Sequence, residues 1–483
     1  MNIMNFLKII LGSLLLFASV GCKDSTKNTS AAKETKEQIP NIIFIMADDL
    51  GYADISPYGQ KAIKTPVLEQ MAKEGMRFTQ HYAGNTVCAP SRCALMTGMH
   101  MGNAQVRGNG LEKTGGQPPL TPEAITVAKL LKNVGYETAL IGKWGLGNEA
   151  TTGSPLKQGF DSYYGYLDQV LAHNYYPEYL LRNGKKEMLA NEVVYRASTE
   201  WHGGLGSHSK KQEEYSHDLF IEEALGFIEK ERENPFFLYL PFTIPHNNGE
   251  APEGFRMEVP DMGIYSEEEW PRDTKAYAAM ITRMDRGIGL LIDKLKEKGI
   301  DQNTVIFFTS DNGPMPGEHF TELFDSNGPL KGGKRDLYEG GIRVPFLARW
   351  PGNITANSTS QHISAFWDFL PTACDLAGID TPKNIDGISY LPALLQKEQP
   401  KHEYLYWEFP EKGYSVGLRK GKWKAVRRNM NTDPHSTIEL YNLETDFQES
   451  NNIAAAHPEI VRELTQLLTE ARTPSERFPM PGE

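Results

Sequence analysis

Two apolar runs far apart in the chain end in the same way. Asn41-Ile-Ile-Phe-Ile-Met46 leads into Asp48-Asp49, and Val305-Ile-Phe-Phe-Thr309 leads into Ser310-Asp311-Asn312. An unbroken apolar run bounded by polar residues is the pattern of a strand buried on both faces, which requires a largely parallel sheet covered by helices. Helical patterns lie between such runs: one over 66–74, one opening at Cys88, one near 124–134, then strands over 137–141 and 235–240. This alternation predicts an α/β fold with a large doubly wound, mixed or parallel sheet. Open sheets of that kind place ligands at the C-terminal ends of their strands, where both acidic pairs fall. Asp48, Asp49, Asp311 and Asn312 offer hard oxygen donors with no thiolate or imidazole spaced for zinc, so the cation they suit is Ca²⁺, with Mg²⁺ second.

The stretch Cys88-Ala-Pro-Ser-Arg92-Cys-Ala-Leu-Met-Thr-Gly98 reads as a short helix with its own punctuation. Pro90 suits the first turn, where a missing N–H costs nothing, and Gly98 suits a left-handed C-terminal cap. Cys88 therefore sits at a helix N-terminus, where free N–H groups favour anions, and Arg92 adds a permanent charge one turn later. The string matches the signature Cys-x-Pro-Ser-Arg followed by Thr-Gly, and on it the chain resembles the type I sulfatases over nearly all residues after about 39. That resemblance implies an alkaline-phosphatase-like fold. It also implies that a separate maturation enzyme converts Cys88 to formylglycine, whose hydrate is the nucleophile and a metal ligand beside Asp48, Asp49, Asp311 and Asn312.

Other segments carry the resemblance further. Gly142-Lys143-Trp-Gly145-Leu-Gly147 is similar to a family segment in which His usually stands at the position of Gly145. By the resemblance Lys143 holds the nucleophile and sulfate oxygens, and the missing His would have removed a proton so that sulfate is expelled. His173, in Leu171-Ala-His-Asn-Tyr-Tyr-Pro177, is the candidate to fill that space or to bind the substrate sugar. Pro245-His246, after a strand-like run, matches the family His that protonates the leaving alkoxide; an unperturbed His titrates near pH ~6.5 and can carry that proton. In Gly328-Pro-Leu-Lys331-Gly-Gly-Lys334-Arg335, Lys334 aligns with a sulfate-contacting lysine, and Lys331 and Arg335 are candidates for further anionic groups. Tyr175, Tyr176 and Trp201 are candidates to stack on a sugar ring.

A net charge of −12 argues against nucleic acid as a partner, so an acidic substrate must be gripped by local cations. Residues 1–22 read as an export signal ending in Gly21-Cys22, similar to a bacterial lipobox, and 23–38 as a flexible polar tether. These predict a periplasmic or outer-membrane lipoprotein of a Gram-negative bacterium, tied to the membrane through an N-terminal lipid anchor alone. The catalytic domain is expected over 39–380. A smaller α+β subdomain is expected over 381–483, where short β-prone runs precede an amphipathic helix at 458–471.

The expected reaction is hydrolysis of an O-sulfate ester on a sulfated oligo- or polysaccharide, with Cys88, Arg92, Lys143, His246 and Lys334 as its catalytic residues. The guessed substrate is a 4-sulfated galactose or N-acetylgalactosamine unit. Two rivals stand beside it: a phosphate mono- or diester hydrolase of the same superfamily, and a non-catalytic glycan-binding lipoprotein.

Overall fold

A computed structural model of the protein describes residues 39–110, 116–196 and 206–483. The export signal, tether, Cys22 and Trp201 lie outside the described residues. Ile39–Glu483 forms one compact unit.

Its centre is an eleven-stranded mixed sheet. The strand Asn41–Ala47 runs parallel to Thr304–Ser310 on one side and to Phe236–Pro241 on the other. Phe236–Pro241 pairs in turn with Glu137–Lys143, again parallel. Antiparallel pairings extend the sheet on both sides, through Arg343–Arg349 and Met76–Tyr82 on one and Tyr179–Arg182 and Lys185–Met188 on the other; Ser358–Ser360 and Ser364–Ala365 then pair parallel with Met76–Tyr82 at the first edge. All seven residues of Asn41–Ala47 and of Thr304–Ser310 are buried, as their unbroken apolar character requires.

Successive side chains of these strands still separate to opposite faces. Ile42, Phe44, Phe237 and Phe307 pack with Phe369 and Leu370 of the helix Phe369–Ala377. Ile43, Ile45, Leu238 and Phe308 pack on the other face with Phe220 and Met284, from the helices Ser216–Glu229 and Arg272–Glu297.

The register positions the chemistry. Asn41 faces Thr304 and Ala47 faces Ser310, so the residues just beyond, Asp48 and Asp311, emerge at one edge of the sheet. Leu140 pairs with Tyr239, and Tyr239 with Phe44, so Lys143 leaves its strand at that same edge.

A second, four-stranded antiparallel sheet comprises Leu405–Phe409, Ser415–Lys420, Trp423–Arg427 and Ile438–Asn442. Leu464 and Leu468 of the helix Pro458–Glu470 cover one face. Trp407 Nε1 donates to the Ala83 carbonyl, tying this sheet to the segment that leads to Cys88. Among the described residues no helix is long and apolar enough to cross a membrane.

Candidate active site

Cys88 is the first residue of the helix Cys88–Thr97, every residue of which is buried. Gly98 closes it with φ 70°, the left-handed cap that glycine adopts without strain. The Cys88 Sγ donates to Asp48 Oδ1 at 3.5 Å, and the ammonium groups of Lys143 and Lys334 approach it to 3.6 and 3.9 Å. The thiol is pushed up to about 12 by burial and by the Asp48 charge, against the pull of the two lysines. As a cysteine it is a poor nucleophile, since thiolate is the reactive form.

The acidic residues converge as their positions in the strands demand. Asp49 adopts φ 62°, and that turn lets its N–H donate to Asp311 Oδ1 at 3.1 Å. Asn312 Nδ2 donates to Asp49 Oδ1 at 2.7 Å. Arg92 stands 2.8 Å from Asp311 Oδ2 and 3.6 Å from Asp48 Oδ2, and also donates to the Lys143 carbonyl. Lys143 Nζ is 2.6 Å from Asp48, and Lys334 Nζ is 2.6 Å from Asp49. Burial alone would raise the Asp48 carboxyl, but Lys143, Arg92 and Lys334 outweigh it and hold it below its ordinary value. Asp311 is driven up to about 7 by burial and the Asp48 charge, with Arg92 opposing.

Ligating atoms of Asp48, Asp49, Cys88 and His246 all lie within 4.8 Å of one another. Asn312 Oδ1 is buried and has no hydrogen-bond partner among the described residues. Buried carboxylates plus an orphaned amide oxygen are donors suited to a hard divalent cation, so the residues fit Ca²⁺.

His246 differs from the expectation of an unperturbed imidazole. Burial, then the charge of Lys334, holds its pKa well below the ordinary value. Lys334 Nζ lies 2.9 Å from His246 Nε2, while His246 Nδ1 donates to the Asn247 carbonyl at 2.6 Å. The imidazole is thus neutral, with Nε2 accepting, and Lys334 is the group that bears the proton.

Cys88, His246 and Lys334 open onto a cleft of about 280 Å³, lined also by Gln169, His173, Glu250 and Arg335. The His173 ring stacks on His246, centroids 4.6 Å apart, and its Nδ1 is 3.0 Å from the buried Glu250. Lys331 does not line this cleft. It turns to the C-terminal sheet, donating to Tyr441 Oη and the Glu449 carbonyl and lying over the Tyr338 ring, because aromatic faces and a carbonyl there satisfy its charge. Tyr175 and Tyr176 are core residues, packed with Tyr215 and closed to a sugar. Sequence reasoning missed Glu250 and Gln169; neither belongs to a recognisable motif, and only the folded loops bring them to the cleft.

The family model described as sulfatase matches residues 40–379, and one described as N-sulphoglucosamine sulphohydrolase, C-terminal, matches 332–474. The chain belongs to the sulfatase family. It is a sulfuric ester hydrolase with the alkaline-phosphatase-like fold. It is 31% identical to N-acetylgalactosamine-6-sulfatase of Rattus norvegicus, over 92% of this chain and 82% of that protein. It is 27% identical to N-acetylgalactosamine-6-O-sulfatase of Bacteroides thetaiotaomicron, over 98% and 99%. The crystal structure of Ps i-CgsB in complex with k-i-k-neocarrahexaose is similar at TM-score 0.74 and 30% identity, over 92% of this chain and 94% of that one.

Proposed function

We propose that this sulfatase removes O-sulfate groups from a sulfated glycan built of galactose or N-acetylgalactosamine units, using residue 88 as formylglycine and a Ca²⁺ ion held by Asp48, Asp49, Asp311 and Asn312. The carrying observation is the surround of Cys88 Sγ: one carboxylate and two ammonium groups within 3.9 Å, at a buried helix N-terminus. Relatives named for N-acetylgalactosamine sulfate and a similar structure holding a neocarrahexaose support the glycan class. The expectation of a 4-sulfate rests on Gly145 and the His173 segment, whereas the named relatives act on a 6-sulfate.

Bound Ca²⁺ would supply positive charge that neutralises sulfate oxygens. The chain's own residues do the rest. Arg92, fully buried, holds Asp311 and the Lys143 carbonyl in place. Lys143 and Lys334 present fixed ammonium groups within 3.9 Å of the residue 88 side chain, Lys334 on the wall of the cleft, where they would offset charge that builds on the sulfate as the ester bond breaks. Lys334, on the cleft wall, would be the acid toward the leaving oxygen: burial would lower its pKa, but Asp49 and the neighbouring acids raise it above its ordinary value. His246 accepts from Lys334 and fixes the direction of that ammonium group. Arg335 lines the cleft and serves as a further contact for an anionic substrate.

The catalytic domain is assigned to 39–380 and the α+β subdomain to 381–483. Export through residues 1–22, with anchoring at Cys22, would place the enzyme where large glycans are met.

The test uses full-length enzyme made with a formylglycine-generating maturation enzyme and loaded with Ca²⁺. Mass spectrometry of the peptide containing residue 88 is expected to show the aldehyde. Defined 4- and 6-sulfated galactose and N-acetylgalactosamine mono- and disaccharides are then assayed for released sulfate, beside phosphate esters of the same leaving groups. Release from neither sulfated series by fully converted enzyme would end the glycan reading. Faster cleavage of the phosphate esters would favour the phosphoesterase.

A further inference from the structure

At Gly145, where the chain departs from the sulfatase segment it otherwise resembles, a different side chain fills the space. A Cβ added to Gly145 would lie 1.9 Å from Gln169 Nε2 and 2.8 Å from its Cδ. Gly145 also has φ 80°, a conformation that favours glycine, so a larger residue at 145 and the present place of Gln169 exclude one another.

Gln169 is held there from behind. Its backbone N–H donates to Gln117 Oε1 at 2.9 Å. Asp168 Oδ1 accepts from the N–H groups of Val170 and Leu171 at 2.8 and 3.0 Å, and Gly145 N–H donates to the Leu167 carbonyl at 3.1 Å. The loop from Leu167 to Leu171 is therefore pinned against Gly145.

The Gln169 side chain is left unsatisfied. The residue is only 5% exposed, yet among the described residues neither Nε2 nor Oε1 has a hydrogen-bond partner. A buried amide with both polar atoms unpaired is costly, and native interiors rarely keep one unless a ligand completes it. Gln169 lies on the wall of the cleft that holds Cys88, His246 and Lys334.

We infer that Gln169 is a substrate-binding residue, its Nε2 donating to a sulfate oxygen of the bound ester and its Oε1 accepting from a hydroxyl of the same molecule. The inference rests on the sulfatase reading above. An amide neither gains nor loses a proton near neutral pH. Gln169 therefore supplies a directed donor in the place of a titratable side chain, and any proton acceptor for turnover must stand elsewhere in the cleft.

The experiment measures inorganic sulfate binding to the Ca²⁺-loaded full chain by calorimetry, together with steady-state kinetics on the best sulfate ester. Gln169→Met keeps the length and removes donor and acceptor. Gln169→Glu keeps the shape and replaces the donor with a negative charge. Sulfate affinity is expected to fall about 10-fold in the Met variant and further in the Glu variant, since a hydrogen bond to a charged group is lost in one and repulsion is added in the other. Melting temperatures of the Met variant are expected to match wild type, because no bond within the protein is broken. Affinity and kcat/KM within twofold of wild type in both variants would overturn the assignment. A wild-type protein that binds sulfate through Gln169 but cleaves no ester would leave the assignment standing and sink the enzymatic reading instead.

Discussion

Two clusters of buried opposite charges organise this molecule, and they are finished differently. At the seam between the sheets, Lys424 lies between Glu339 at 3.0 Å and Glu449 at 3.5 Å. Tyr82 donates to Glu339 at 2.6 Å, Arg343 stands 3.3 Å from it, and the Glu339 N–H donates to Glu449 at 2.7 Å. Burial would raise Glu339, but Lys424, Arg343 and Arg419 hold it down to about 2. Glu449 is pushed up to about 7 by burial, with Lys424 opposing. Glu449 Oε1 has no hydrogen-bond partner among the described residues, but it stands 3.5 Å from Lys424, so the charges here face opposite charges within the protein. At the strand ends the count of charges is similar, yet among the described residues Asn312 Oδ1, Arg92 Nε and the whole Gln169 amide lack hydrogen-bond partners, and a cleft opens beside Gln169. A network whose charges are paired joins elements; one that leaves an amide oxygen and a whole side-chain amide unpartnered around a candidate nucleophile is built for something that arrives.

The contrast can be broken most sharply at residue 88. Cys88→Ala is expected to lower sulfate release by about 10³-fold or more, as for loss of a nucleophile, while the melting curve stays that of wild type. A variant that still turns over within tenfold would show that the open cluster is not the reaction centre. Next in size is Lys334→Ala, expected to reduce kcat/KM by about 10²- to 10³-fold, the usual effect of removing one charge-stabilising donor. Stopped assays at saturating and limiting substrate will separate kcat from KM.

Lys424→Met probes the other side of the comparison. It leaves two carboxylates buried without their shared cation, for which about 3–5 kcal/mol of stability is expected to be lost, read by urea denaturation. Turnover per folded molecule should be unchanged. Loss of activity without loss of stability would erase the distinction between the clusters. A smaller effect is expected for Glu250→Gln, which weakens the hold on His173 at 3.0 Å. A rise of a few fold in KM, against little change in kcat, is the expected result for a contact that shapes the cleft.

The smallest effect concerns Asp54, which accepts from Gly51 N–H at 2.7 Å and Tyr277 Oη at 2.5 Å beneath the acidic pair. Burial lifts its pKa to about 6 from 3.8, against those hydrogen bonds. The folded state therefore keeps this proton to higher pH than the unfolded chain does. The stability it contributes is complete below pH 3.8, declines as pH rises through about 6, and is gone above that. Asp54→Asn should flatten this part of the urea-midpoint profile between pH 3.8 and about 6.

Much of the site was legible before any coordinates. The strands ending at Asp48 and Asp311, the helix that opens at Cys88 and closes at Gly98, and the convergence of Lys143 and Lys334 on residue 88 all stand where motif and apolar pattern put them. The state of His246, the fate of Lys331 and the role of Tyr175 were not legible. Each depends on neighbours remote in sequence: Lys334 beside His246, Tyr441 and Glu449 beside Lys331, Tyr215 beside Tyr175.

Local pattern is enough to specify which segments become buried strands, where a helix begins and which oxygen donors crowd its start, because hydrophobic period and turn chemistry act within a few residues. Whether a side chain in that crowd is charged, paired or left waiting is settled by packing between distant segments. Gly145 shows this most plainly: the chain alone reveals a missing imidazole, and the fold reveals that Gln169 stands there with its amide unpaired. Such interactions depend on distances of a few ångströms between groups that the sequence holds far apart.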